Sequence, residues 1–330
     1  MKEVKNKIRE ITALSLACLL TVLPACPAEA AGRPEQPEMS QDLTDETVEE
    51  ADGSEDAEEN GVFPAAEEEV RKERELFCTI LGDSIAKGYS GDKSVWIECY
   101  GRVATKEIAS EKGCAYRVSN YAKTGLASEG LNEKVLSKEQ VLKDVERSNL
   151  ILVTMGSNDL LNECKNVVRN ILDTDAKFKS ADEALSVLGE SVKKNPLLVL
   201  KIINALSNWD YLSFEAQWIE MMETLEELKG EDTVVIVTNI YNPVANRELP
   251  STMNRVVEDI IGNMNSIISK HSVRYGYKVA DLSKSSVTAH VQKDGVHPDQ
   301  DGQRVIAGIV KKEYDVTVQN GGKMSIKNGR

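Results

Sequence analysis

Leu76-Phe77-Cys78-Thr79-Ile80-Leu81-Gly82-Asp83-Ser84 decides the reading of this chain. The apolar run Leu76–Leu81 is the length of a buried strand. The Gly-Asp-Ser turn that follows puts Ser84 at the rim of a sheet, where a helix would begin with its unpaired N–H groups pointing at a ligand. A nucleophilic hydroxyl suits that place. It needs a base, an acid that orients the base, and donors for a developing oxyanion.

The chain has three histidines. His271 closes a long amphipathic stretch (Val256, Val257, Ile260, Ile261, Met264, Ile267, Ile268) and reads as a helix C-terminal residue beside the dipole. His290 lies in a polar stretch with no evident partner. His297 sits in Asp294-Gly295-Val296-His297-Pro298, where Gly and Pro impose a tight irregular loop. There the Asp294 carboxylate can fold back, hold the imidazole tautomer and stabilise the imidazolium. Two further pieces follow candidate strands. Gly156-Ser157-Asn158-Asp159 offers the Asn158 amide as an oxyanion donor, and Gly125, in Asn120-Tyr121-Ala122-Lys123-Thr124-Gly125, can bring a backbone N–H close to a reacting carbonyl. Each piece alone also reads as an ordinary turn or surface loop.

Together and in order, Gly82-Asp83-Ser84, Gly125, Gly156-Ser157-Asn158-Asp159 and Asp294-x-x-His297 resemble the blocks of the SGNH (GDSL-type) hydrolases. Pro298, Gly302, Val305, Ile306 and Ala307 look like that family's closing block, and the resemblance covers about residues 76–312. Ala86 departs from the Ser or Thr that many members carry two residues after the nucleophile; Gly88 is kept. The resemblance implies hydrolysis of a carboxylic ester with Ser84 as nucleophile, His297 as base and Asp294 behind it. The oxyanion hole would be the Ser84 N–H, the Gly125 N–H and the Asn158 amide. Asp83 and Asp159 are expected to brace their loops.

The fold expectation has its own support. Candidate strands at Leu76–Leu81, Ala115–Val118, Leu150–Thr154, Thr233–Ile240 and Tyr277–Leu282 alternate with helix-like stretches, which predicts an α/β protein, a three-layer α/β/α sandwich around a five-stranded parallel sheet. The resemblance implies flavodoxin-like strand order. Ligands bind such sheets at the carboxyl ends of the strands, where each motif falls.

Residues 1–32 are expected to be a secretory signal peptide or membrane anchor: Lys2, Lys5, Lys7 and Arg9 precede the apolar stretch Ile11–Leu23, and Ala28-Glu29-Ala30 is an A-x-A site. Leu23-Pro24-Ala25-Cys26 resembles a bacterial lipoprotein box with an unusual Pro, so attachment at Cys26 and an uncleaved anchor stay open beside simple export. Residues 33–72 read as an acidic linker. Its 33–70 stretch carries fifteen Asp/Glu against Arg33, a net of −14 that equals the charge of the whole chain. Residues 1–32 carry +1, leaving 71–330 near neutral at −1. Such a linker repels itself and cannot bury a core, and a near-neutral body gives no electrostatic case for nucleic acid. The hydrolase body is placed at 73–316 and 317–330 is read as a polar tail, of which the final stretch, Gln319 to Arg330, is expected to fray.

Of the six cysteines, Cys18 and Cys26 fall in the export segment and Cys78 in the first strand. Cys99, Cys114 and Cys164 are disulfide candidates after export, Cys99–Cys114 closing the shortest loop, with pairing open. No ligand spacing points to a metal, and no cofactor is expected.

More than seventy residues separate Asp159 from the fourth strand, with a helical insertion at about 165–230. Ser180-x-x-Glu183 is a capping box, Asn195-Pro196 opens a helix over Leu197–Leu206, and a third helix, Phe214–Lys229, carries Trp218, Met221, Met222, Leu225 and Leu228 as a core stripe with Gly230 as its stop. The first two helices could cap Ser84 and supply an acyl-chain pocket, or bury against the body. The functional expectation is an exported serine esterase or lipase acting through an acyl-enzyme on a small ester or an acylated lipid or glycan, tethered at the surface through its N-terminus or secreted. With aromatics at 5%, an extended sugar-stacking platform is disfavoured and a short- to medium-chain acyl group preferred. Alternatives are a carbohydrate O-acetylesterase, a lysophospholipase or thioesterase, and a non-catalytic glycan-binding domain.

Overall fold

The computed structural model describes residues 74–178, 181–242 and 251–319. The expected export segment, the acidic linker through 72, Ser180 of the capping box and residues 320–330 of the tail lie outside the described residues. Five strands, β1 (Glu75–Gly82), β2 (Ala115–Asn120), β3 (Leu150–Thr154), β4 (Val234–Thr238) and β5 (Lys278–Ala280), form an all-parallel sheet in the order β2-β1-β3-β4-β5. Helices α1 (Ser84–Lys87), α2 (Tyr100–Lys112), α3 (Ser128–Lys134), α4 (Glu139–Arg147), α5 (Ser157–Leu172), α6 (Ala181–Lys194), α7 (Leu198–Ser207), α8 (Tyr211–Leu228), α9 (Ser251–Lys270) and α10 (Gln300–Gln319) connect and flank it. This is the expected three-layer α/β/α sandwich.

Strand side chains alternate between the two layers. Ile151, Val153, Val235 and Val237 pack with Leu131, Trp218 and Met264, whereas Leu150, Leu152, Val234 and Ile236 pack with Tyr100, Ile306 and Tyr314. Burial on both faces is why β1, β3 and β4 read as continuous apolar runs. Gly82, Thr154 and Thr238 are aligned at the carboxyl ends of β1, β3 and β4. At Gly82 (φ +150°) a Cβ would fall 2.5 Å from Thr154 O, so only glycine lets the chain turn there.

Of the two dispositions open to the first two insertion helices, the described residues show burial. Helices α6 and α7 pack against α5, with Ala184 and Leu188 in the core and Leu198, Ile202 and Ala205 against it; they bury against the body rather than capping Ser84. Asn195 Oδ1 accepts from Leu197 N (3.2 Å) and opens α7 as expected. Helix α8 begins at Tyr211, three residues earlier than read from sequence, because Asp210 Oδ1 caps Ser213 N at 3.0 Å. Its Trp218, Met221, Met222 and Leu225 are buried. Lys229 leaves α8 in an extended conformation, so Gly230 supplies no left-handed stop. Helix α10 runs on to Gln319, past the expected end of the body at 316, with Val318 against the core.

No disulfide joins the cysteines of the described residues. Cys99 precedes α2 and Cys114 follows it; thirteen helical residues at about 1.5 Å each hold the two roughly 20 Å apart, far beyond bonding reach. Cys78 is buried in β1. Among the described residues no helix is long and apolar enough to cross a membrane.

Candidate active site

Ser84 is the first residue of α1, directly after the β1 turn, and is 6% exposed. Asp83 caps it from below: its Oδ1 accepts from Ile85 N at 2.9 Å. Burial pushes the Asp83 carboxyl up to about 7, helped by the Asp159 charge and opposed by the Ile85 and Ala86 N–H groups.

The loop after β5 brings the histidine. Asp294 Oδ1 accepts from Val296 N and His297 N, both at 2.9 Å, which closes a tight turn. Its Oδ2 lies 2.6 Å from His297 Nδ1, and His297 Nε2 lies 2.9 Å from Ser84 Oγ, across 213 positions of sequence. Asp294 is partly buried, which would raise its carboxyl. The Val296 and His297 N–H groups and the imidazole outweigh that and hold it below the usual carboxylate range. An ionised carboxylate only accepts, so this network assigns the proton to Nδ1 and leaves the Nε2 lone pair for the serine O–H.

Gly125 (φ +76°) sits in the loop after β2, which Lys123 N ties to Gly82 O at 3.0 Å. Asn158 opens α5; its Nδ2 donates to Leu126 O at 3.1 Å and lies 3.5 Å from Asp83 Oδ2. Asp159 binds the neighbouring helix start, accepting from Ser128 N (3.1 Å) and from the Ser128 hydroxyl. Burial also raises its carboxyl.

Ser84, Gly125, Asn158 and His297 line one cavity of about 140 Å³, whose apolar walls are Ile85, Leu161, Tyr241 and Val296. No described side chain of α6 or α7 is among its walls. Four residues around it escaped the sequence reading. The Tyr89 ring lies 4.6 Å from the His297 ring. Tyr241, just past β4, donates its hydroxyl to Val296 O at 2.5 Å. Leu161 follows Asn158 on α5. Gln292 ties the histidine loop to the chain after α1. A tyrosine three residues past a buried strand was the available signal for Tyr241; nothing local marks the others.

The remaining histidines lie elsewhere. His271 is buried after α9, and its Nε2 is 2.7 Å from Glu215 Oε1 on α8, so a carboxylate rather than the dipole alone holds it. His290 forms, with Asp299 and Asp301, a group with ligand atoms within 4.8 Å of one another. Asp299 Oδ1 already accepts from Asp301 N and Gly302 N, Asp301 pairs with Arg304, and the start of α10 is electropositive, which disfavours a cation.

Among solved structures the chain is similar to a lipase from a goat rumen metagenome (18% identity, TM-score 0.48, covering 72% of this chain and 97% of that one). It is also similar to the extracellular lipase of Streptomyces rimosus (14%, 0.47, 72% and 99%) and a Clostridium thermocellum family 3 carbohydrate esterase (12%, 0.45, 75% and 98%). No curated protein matches the chain. The family model for GDSL-like lipase/acylhydrolase matches residues 79–310, from inside β1 to inside α10. The chain belongs to the GDSL-like lipase/acylhydrolase family.

Proposed function

We propose that this protein is an exported ester hydrolase that works through a Ser84–His297–Asp294 triad and an acyl-enzyme. The observation that carries it is the unbroken hydrogen-bond path from Asp294 Oδ2 through both ring nitrogens of His297 to Ser84 Oγ. Ser84 Oγ attacks the acyl carbonyl while His297 Nε2 takes its proton; the developing oxyanion is held by the Ser84 and Gly125 N–H groups and the Asn158 amide. Collapse expels the alcohol, which takes the proton back from Nε2. Water, deprotonated by the same nitrogen, then releases the acid and regenerates Ser84. Asp294 stays ionised and stabilises the imidazolium. Export rests on the basic start, the apolar stretch and the A-x-A site of residues 1–32.

p-Nitrophenyl esters of graded acyl length test the proposal. Turnover is expected in the wild type and is expected to vanish to background in Ser84→Ala. Full activity in Ser84→Ala, or no turnover of any ester, thioester or acetylated glycan, would sink it and leave the glycan-binding alternative.

A further inference from the structure

The cavity before Ser84 is small. Pockets for drug-sized ligands occupy about 300–1,000 Å³, and this one is about 140 Å³.

Direction matters as much as size. The leaving alcohol has to lie beside His297 Nε2 to take its proton, and the carbonyl oxygen beside the Gly125 N–H and the Asn158 amide. The acyl chain takes the direction that remains, past Asn158 along α5. Leu161 stands there, a turn beyond Ser157 and Asn158 and on the same helix face as both. It is not free to swing away with its helix, because the flanking Leu160 is 5% exposed in the core and Asp159 is pinned to Ser128. Another wall is held too, since Tyr241 is hydrogen-bonded to Val296 O.

We propose that Leu161 closes the acyl site, so that the enzyme accepts short acyl groups of about two to four carbons and rejects long fatty-acyl chains. This rests on Ser84 being the acylated nucleophile.

The test measures kcat/KM for p-nitrophenyl acetate through palmitate, in the wild type, Leu161→Ala and Leu161→Phe, with thermal melting as the check of folding. A second series holds acetate fixed and varies the alcohol. The wild type is expected to fall roughly tenfold or more from butanoate to octanoate. Leu161→Ala should raise the octanoate-to-acetate ratio by about tenfold and Leu161→Phe should lower even the butanoate-to-acetate ratio. A wild type that prefers decanoate or longer esters overturns the proposal. So do folded variants with an unchanged acyl profile, or variants whose change appears in the alcohol series instead. Absence of any turnover by the wild type is a different result, because it removes the hydrolase assignment itself.

Discussion

Gln292 holds Tyr89 from the far end of the chain: its Nε2 donates to Tyr89 O at 2.7 Å and to Pro298 O at 2.9 Å, and its Oε1 accepts from Gly91 N at 2.9 Å. One side-chain amide therefore joins the segment that follows Ser84 to the loop that carries Asp294 and His297. Gln300 and Gln303 repeat the device further on. Gln300 exchanges hydrogen bonds with Glu98 N and O, and the fully buried Gln303 accepts from Tyr100 N while donating to Ile85 O. These clamps join the two segments that bring Ser84 Oγ within 2.9 Å of His297 Nε2.

Gln292→Ala should lower kcat by about tenfold, with KM changed less, because it loosens the approach of base to nucleophile without touching the cavity wall. Each lost hydrogen bond is worth about 1 kcal/mol, so melting should fall only modestly. Steady-state kinetics beside a melting curve read both, and a drop in stability with kcat intact would reduce Gln292 to a structural clamp.

Asp294→Asn keeps the shape of the turn but offers Nδ1 of His297 an amide that can force the wrong tautomer. The expected loss of kcat is on the order of 10³–10⁴-fold. Loss of similar size in Ser84→Ala and in the double variant, rather than the product of the two, would be read as the residues acting as one unit.

The β1, β3 and β4 strands were legible because both their faces are buried, so apart from Glu75 at the edge of β1 and Gly82 at its turn every residue is apolar or a small hydroxyl. The fifth strand was read too long, as Tyr277–Leu282, where only Lys278–Ala280 pairs with β4. Tyr277 and Leu282 are buried by their side chains without belonging to the ladder, and burial is all that an apolar letter reports. The turn residues of the site were legible for the opposite reason: Gly82, Gly125, Asp294 and Gly295 answer local backbone demands. Tyr89, Gln292 and Tyr241 act across loops distant in sequence, and no period marks them. Nor could sequence say which way α6 and α7 fold, since an apolar helix looks the same over a cavity as against α5.

Stability should depend on pH through Asp83. Its carboxyl stands near 7 in the folded protein against 3.8 for the ordinary group. A group with a raised folded pKa contributes fully below its unfolded value and loses that contribution as pH rises through the folded one. Wild type should therefore weaken between about pH 4 and 7, by at most about 4 kcal/mol. Asn in its place still accepts from Ile85 N and does not titrate. Urea midpoints of Asp83→Asn and wild type at pH 4.5, 6 and 7.5 should diverge in the variant's favour as pH rises; a pH-independent difference would show that Asp83 does not titrate in that window.

Tyr241 combines two roles that substitution separates. Its ring walls the cavity, and its hydroxyl tethers Val296 O, next to His297. Removing only the hydroxyl leaves a carbonyl without its donor, a cost of about 1–3 kcal/mol, and frees the histidine loop. Tyr241→Phe should thus lower melting and kcat together while leaving the ratio of octanoate to acetate turnover as in the wild type, because the wall is intact. Tyr241→Ala removes both and should also raise that ratio. If Phe already shifts the ratio, the loop itself shapes the acyl site, and the tether and the wall are one element rather than two.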